Sequence, residues 1–155
     1  MIPILAVDGL ILRKENDGYQ LLLIKRAKEP SIVKFILKYS IKGKYAFPGG
    51  HVNYMEKTEE ACLREVFEET NLKAKNPKLF NVYGKPERDS RKHVISIVYE
   101  LKVDDFSVLK AGDDAAEAEF VNINELVNSP EKFSFDHFDI LRDFIKSKTE
   151  LKSLL

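Results

Sequence analysis

Residues 49–72 read GGHVNYMEKTEEACLREVFEETNL and hold six glutamates, Glu56, Glu59, Glu60, Glu65, Glu68 and Glu69. The stretch 57–70 contains no proline or glycine and predicts a helix. Thr58 is placed to cap it, with Glu59 and Glu60 facing the positive end of its dipole. At roughly 100° per residue, Glu65, Glu68 and Glu69 fall within an arc of about 100°. Cys62, Leu63, Val66, Phe67 and Thr70 form the adjoining, mostly apolar face. Carboxylates at i, i+3 and i+4 repel one another unless cations lie between them. An all-oxygen ligand set favours hard cations such as Mg²⁺ or Mn²⁺. Pro48-Gly49-Gly50 precedes the helix with a backbone that lets a metal or a phosphate approach closely. Arg64, beside Glu65, is the cation available to pair with a glutamate and hold it in orientation.

The chain around this helix has the length of one compact domain, taken as residues 1–155 without an internal boundary or repeat. Its composition, 44% hydrophobic and 32% charged, is that of an ordered globular protein. The formal net charge of zero gives no long-range pull toward nucleic acid or an anionic membrane, so neither is expected as a partner. No apolar run approaches the roughly 20 residues of a membrane span. The opening MIPILAVDGLILRK lacks a basic start and is interrupted by Asp8 and Gly9, which suits a buried strand better than a signal peptide. The single Cys62 has no internal disulfide partner and is read as a small buried helix residue in a reducing, cytoplasmic setting. The sequence leaves oligomeric state open, a homodimer included.

Outside the acidic helix, the runs 4–12 and 19–26 flank KENDG and predict a hairpin turning at Asp17-Gly18. Short strands are expected at 45–47 and 51–53, longer ones at 78–84 and 93–103, and a last one at 118–122. Further helices are expected at 123–128 and 136–148, the latter burying Phe138, Ile140, Leu141, Phe144 and Ile145. Residues 29–43 admit either a short helix or a loop over a site. Hairpin-linked strands interleaved with helices imply a mixed sheet packed by helices on its faces.

The pattern Gly50, Glu56, Arg64, Glu65, Val66, Glu68, Glu69 and Leu72 resembles the signature of the Nudix hydrolases, G-x5-E-x7-R-E-U-x-E-E-x-G-U. Asn71 replaces the later glycine, and asparagine is the next-best residue for a left-handed helix C-cap. The resemblance implies an α/β fold, a Nudix-type α/β/α sandwich with a mixed central sheet. It also implies divalent-metal-dependent hydrolysis of a nucleoside diphosphate linked to another moiety. By the same resemblance Glu65, Glu68, Glu69 and the Gly50 carbonyl are the metal ligands, Glu56 is a supporting acid and Arg64 orients the set. Mg²⁺ is the implied cofactor, Mn²⁺ its alternative. The general base is either a glutamate of the signature or an acid of the loop 111–120, with Asp114 the first choice there and Glu117 the second.

A second resemblance narrows the substrate. Residues 83–103, YGKPERDSRKHVISIVYELKV, are similar to the RDPRGH-and-strand pattern of ADP-ribose pyrophosphatase-like Nudix proteins, with Ser90 and Lys92 in place of proline and glycine. Arg88 and Arg91 are the side chains expected to meet phosphate or ribose. Phe47 and Phe120 are expected either to flank an adenine or to pack in the core. Asn53 and Met55 depart from the acidic residue and the glycine that many relatives carry. The implied activity is cleavage of ADP-ribose, a small-molecule nucleotide, to AMP and ribose 5-phosphate. The alternatives are a pyrophosphohydrolase of ordinary or oxidised (deoxy)nucleoside triphosphates and a non-catalytic nucleotide-binding module.

Overall fold

The fold is organised by one long strand. In a computed structural model describing residues 1–26, 43–113 and 115–155, β1 (Ile4–Glu15) pairs with three neighbours along its length. Its outer end, Leu12 to Glu15, forms a hairpin with β2 (Gly18–Arg26). The turn residues are Asn16 and Asp17, one position earlier than the Asp17-Gly18 expectation, because Glu15 pairs with Gly18. The inner part of β1 lies antiparallel to β4 (Gly49–His51) and parallel to β6 (Val94–Val103). Beyond these lie β3 (Tyr45–Ala46) and β7 (Ala115–Asn122) on β2, and β5 (Ala74–Tyr83) on β6. The sheet is therefore mixed, and the parallel β1–β6 pair excludes a pure meander.

Alternation along the strands sends neighbouring side chains to opposite faces. Leu10, Leu21, Leu23 and Val98 join one core with Ile140, Leu141, Phe144 and Ile145 of the helix α2 (His137–Ser147). Ile11, Leu22 and Tyr99 join a second core with Ala61, Cys62 and Val66 of the helix α1 (Thr58–Thr70). The two helices thus cover the two faces, and the α/β/α sandwich with a mixed central sheet follows. Cys62 is fully buried in the second core. No helix among the described residues is long and apolar enough to cross a membrane.

Several local expectations change in the structure. The segment 123–128 reduces to a 3-10 turn, Ile123–Glu125, whose start is capped by the Asn122 side chain accepting from Asn124 N. Thr58 is the first residue of α1 and not its cap; Lys57 takes the cap position without a side-chain bond. The Thr58 hydroxyl lies 2.6 Å from that of Tyr99, so it ties the helix start to β6 instead. Residues 29–42 fall outside the described residues. At the far end of α1, Asn71 stands at φ 61° and ψ 10°, the left-handed geometry expected of it. Its Nδ2 donates to the Val108 carbonyl at 2.9 Å. Met55, where many relatives carry glycine, also has φ 61°.

Asn71→Ala should lower stability by about 1 kcal/mol, because alanine meets a steric cost in the left-handed region. Asn71→Gly should stay close to the parent, exchanging the Val108 bond for free access to that geometry. Urea midpoints at unchanged m-value measure both.

Candidate active site

The site grows from the register of β4 on β1, which sets Asp8 opposite Gly49 and Val7 opposite Gly50. A Cβ on Gly49 would collide with the Val7 carbonyl and lie 2.5 Å from Asp8 Oδ1. On Gly50 it would lie 2.5 Å from the Glu65 carboxylate carbon. Neither glycine has a positive φ, so the constraint is space and not backbone angle. Gly49 N donates to Glu69 Oε1 at 2.8 Å, joining the strand to α1.

The glutamates of α1 descend from solvent to core. Glu68 is the most exposed of the three, the Glu65 side chain is 15% exposed and Glu69 is buried. Arg64 holds the outer part together. Its guanidinium reaches Glu56 at 2.7 and 2.9 Å, Glu65 at 2.8 Å, Glu68 at 3.2 Å and the His51 carbonyl at 3.0 Å. These bonds hold the Glu56 carboxyl down at about 2 and push Arg64 further up. Glu56 also accepts from Asn53 N at 3.0 Å, so Asn53 contributes its backbone where relatives place an acid.

The loop after β6 docks on the last turn of α1. Lys110 N donates to the Thr70 carbonyl at 3.0 Å and Gly112 N to that of Glu69 at 3.1 Å, which satisfies carbonyls that a helix end leaves open. Asp113 is thereby brought to a cavity of about 360 Å³ that Asp8, Gly49, Gly50, Glu65, Glu68 and Glu69 also line. Arg26, Arg88, Arg91, His51, Phe135 and His137 complete much of its wall.

Burial governs the inner acids. It raises Asp8 from its ordinary 3.8 to about 7, against the opposing bond from Ser96 Oγ and the charge of Arg88. It raises Glu69 from 4.5 to about 8, against the Gly49 N–H, with the charge of Glu65 adding to the rise. Glu65 is raised by burial as well. Burial lowers His137 to about 3, helped by Arg88 and Arg26, and lowers the exposed-edge His51 beside Lys92 and Arg91.

Among the described residues no three Asp, Glu, His or Cys side chains are gathered closely enough to chelate one ion as they stand. Arg64 is the present countercharge of Glu65 and Glu68. The donor chemistry nonetheless fits a hard divalent cation. It is oxygen throughout, Glu69 is buried against a backbone N–H and not a cation, and side chains are excluded where Gly50 meets Glu65.

Of the expected substrate residues, Arg91 lines the cavity, chelated by Asp89 at 2.7 and 3.0 Å and stacked over Phe135 at 4.8 Å. Arg88 also reaches it, but its Nε and Nη2 are engaged by Asp136 at 2.9 and 2.7 Å, its Nη1 lies 3.5 Å from the Val94 carbonyl, and the side chain is nearly buried. Phe47 borders the cavity with its ring buried and stacked on His137, centroids 5.4 Å apart, the core-packing side of its expectation. Phe120 is packed edge-on against Phe106 under the Arg13 guanidinium, away from the cavity. Glu117 lies on β7 with its side chain exposed to solvent beside Lys25, 3.4 Å away. Asp114 lies outside the described residues. Sequence reading missed Asp8, Arg26, Phe135 and His137. Only Asp8, an acid inside an apolar strand, carried a signal that could have found it.

Residues 3–144 match the NUDIX domain family. Over 146 residues the chain is 46% identical to a Methanocaldococcus jannaschii protein named ADP-ribose pyrophosphatase, covering 94% of this chain and 75% of that one. A MutT/nudix family protein from Enterococcus faecalis superposes with a TM-score of 0.77 at 26% identity, over 95% of this chain and 62% of that one. The NUDIX domain of Shewanella oneidensis NrtR, solved with ADP ribose, superposes with a TM-score of 0.79 at 17% identity, over 95% and 89%. At that identity the last likeness speaks for the fold alone.

Asp8 and Glu69 hold protons in the folded chain that the unfolded chain releases near 3.8 and 4.5. Their contribution is full below those values and is lost as pH rises through about 7 and 8. Each tenfold difference in proton affinity between the folded and unfolded chain is worth about 1.4 kcal/mol. Protein kept in chelator should therefore lose on the order of 2 kcal/mol or more between pH 5 and 8. Denaturant titrations across that range test it, and Asp8→Asn should flatten the slope.

Proposed function

We propose a function on one premise: the chain belongs to the NUDIX family. It is a divalent-metal-dependent pyrophosphohydrolase that cleaves ADP-ribose to AMP and ribose 5-phosphate. The observation that carries this reading is the 46% identity, over nearly the whole chain, to a protein named ADP-ribose pyrophosphatase. The cavity supplies chemistry of the right kind.

Glu65, Glu68 and Glu69, with the Gly50 carbonyl, would hold Mg²⁺ or Mn²⁺. When bound, the cation offsets the negative charge of the diphosphate and lowers the pKa of a water. Water adds to one phosphorus, the bridging P–O bond breaks, and a carboxylate takes the released proton. Among the described residues of the loop 111–120, Asp113 lines the cavity and is the sequence neighbour of the first expectation, Asp114. Arg64 keeps Glu56, Glu65 and Glu68 from scattering, so the ligand oxygens are ordered before the cation arrives. Arg91 has a guanidinium edge left after Asp89 with which to meet a phosphate or ribose oxygen, and Arg26 lines the same wall. Arg88, engaged by Asp136, shapes the wall more than it offers donors.

With Mg²⁺, ADP-ribose should be cleaved far faster than dGTP or 8-oxo-dGTP, read as AMP release against nucleoside monophosphate release. Efficient triphosphate cleavage beside inert ADP-ribose would reject the substrate. Glu68→Gln and Glu69→Gln should each lower kcat by roughly 100-fold or more with the circular-dichroism spectrum unchanged. In Glu69→Gln the amide oxygen can still accept from Gly49 N, so retained folding is expected there.

A further inference from the structure

The segment that delivers Gly50 is anchored residue by residue from three elements. Phe47 N donates to His137 Nδ1 at 2.9 Å, Gly9 N donates to the Pro48 carbonyl at 2.8 Å, and Gly49 N donates to Glu69 Oε1 at 2.8 Å. Two of these anchors come from β1 and α1, which border the cavity. The third comes from α2, whose apolar side packs on the opposite face of the sheet.

His137 is the first residue of α2 and is 3% exposed. Because Nδ1 accepts a backbone N–H, the ring proton sits on Nε2. That nitrogen faces Asp8 Oδ2 at 3.8 Å, and Asp8 is held by the Ser96 hydroxyl directly opposite Gly49. The imidazole also stacks on the Phe47 ring, with planes 21° apart. It therefore restrains Phe47 by its main chain and its side chain together. Burial keeps the ring neutral, so the accepting lone pair is available throughout the neutral range.

We infer that His137 is a positioning residue of the cation site, bracing Phe47–Gly50 so that the Gly50 carbonyl and Glu69 face one point. This rests on the reading that Gly50 and the glutamates of α1 hold the divalent ion. His137 borders the cavity, yet its assigned role is exerted through the strand it holds by the bond to Phe47 N. Outer partners of this kind change metal affinity or activity by about 10–100-fold when removed. A role limited to satisfying one buried N–H would cost stability and leave the affinity of the folded protein unmoved.

The test compares parent, His137→Phe and His137→Asn by calorimetric titration with Mn²⁺, by kcat and KM for ADP-ribose, and by thermal melting. Phenylalanine keeps the stack and removes the acceptor; asparagine can place an oxygen near the former Nδ1. The expected result is a Mn²⁺ dissociation constant about 10–100-fold weaker in His137→Phe, with kcat lowered more than KM is raised, and most of both restored in His137→Asn. A folded His137→Phe that binds Mn²⁺ as tightly as the parent overturns the inference, whatever its melting temperature. Should that variant not fold, His137→Gln replaces it, since its amide oxygen lies further out than Nδ1; unweakened Mn²⁺ binding there overturns the inference equally. A parent that binds no Mn²⁺ removes the cation reading itself, and the inference falls with it.

Discussion

Two glycines without side chains, pressed against a buried aspartate and a partly buried glutamate, are the constraint on which the rest depends. At Gly49 and Gly50 the backbone passes so close to Asp8 and Glu65 that one methyl group would displace it. That proximity lets β4 lie on β1 while α1 packs over both. It also places Gly49 and Gly50 beside Asp8, Glu65 and Glu69 along one cavity. Packing the second core and assembling the oxygen-rich site are thus a single geometric event.

Such an arrangement concentrates negative charge where water is scarce, and the molecule answers in two ways. On the outer turn a single guanidinium, Arg64, spans three carboxylates and a carbonyl. Toward the core no side-chain cation among the described residues bonds to Glu69, and burial favours its protonated form, raising it to about 8 against the Gly49 N–H and the charge of Arg26. A divalent ion would displace those protons, because it offers the charge that burial has withheld. Electrostatic tension of this sort costs stability in the resting protein and would become binding energy for a cation held there.

The opposite side of the cavity is built differently. Arg88 and Arg91 are held by Asp136 and Asp89, and Phe135 lies under both Arg91 and Arg26, with ring-to-guanidinium distances of 4.8 and 5.7 Å. Guanidiniums steadied by an aromatic face keep part of their donor set for a ligand. Loops contribute most of these residues, whereas the acids come chiefly from a helix and a strand. A shared scaffold of fixed carboxylates with a loop-built wall is a form in which substrate preference can vary while hydrolysis is retained.

The acidic helix, its left-handed asparagine end, the β1–β2 hairpin and the mixed sheet were legible in the chain because each rests on local rules: helical periodicity, strand alternation and turn chemistry. The glutamates and Arg64 were legible for the same reason, since a helix places neighbours by spacing alone. The sequence by itself therefore determined the architecture and the row of glutamates that α1 presents with Arg64. Tertiary structure alone decided that Phe47 faces the core, that Glu117 faces Lys25 and solvent, and that Arg88 is engaged by Asp136, 48 residues away. It also decided that Asp8 and His137 stand behind the glycine strand. Those facts depend on which face of a strand meets which helix and on contacts distant in sequence, and no local periodicity encodes them.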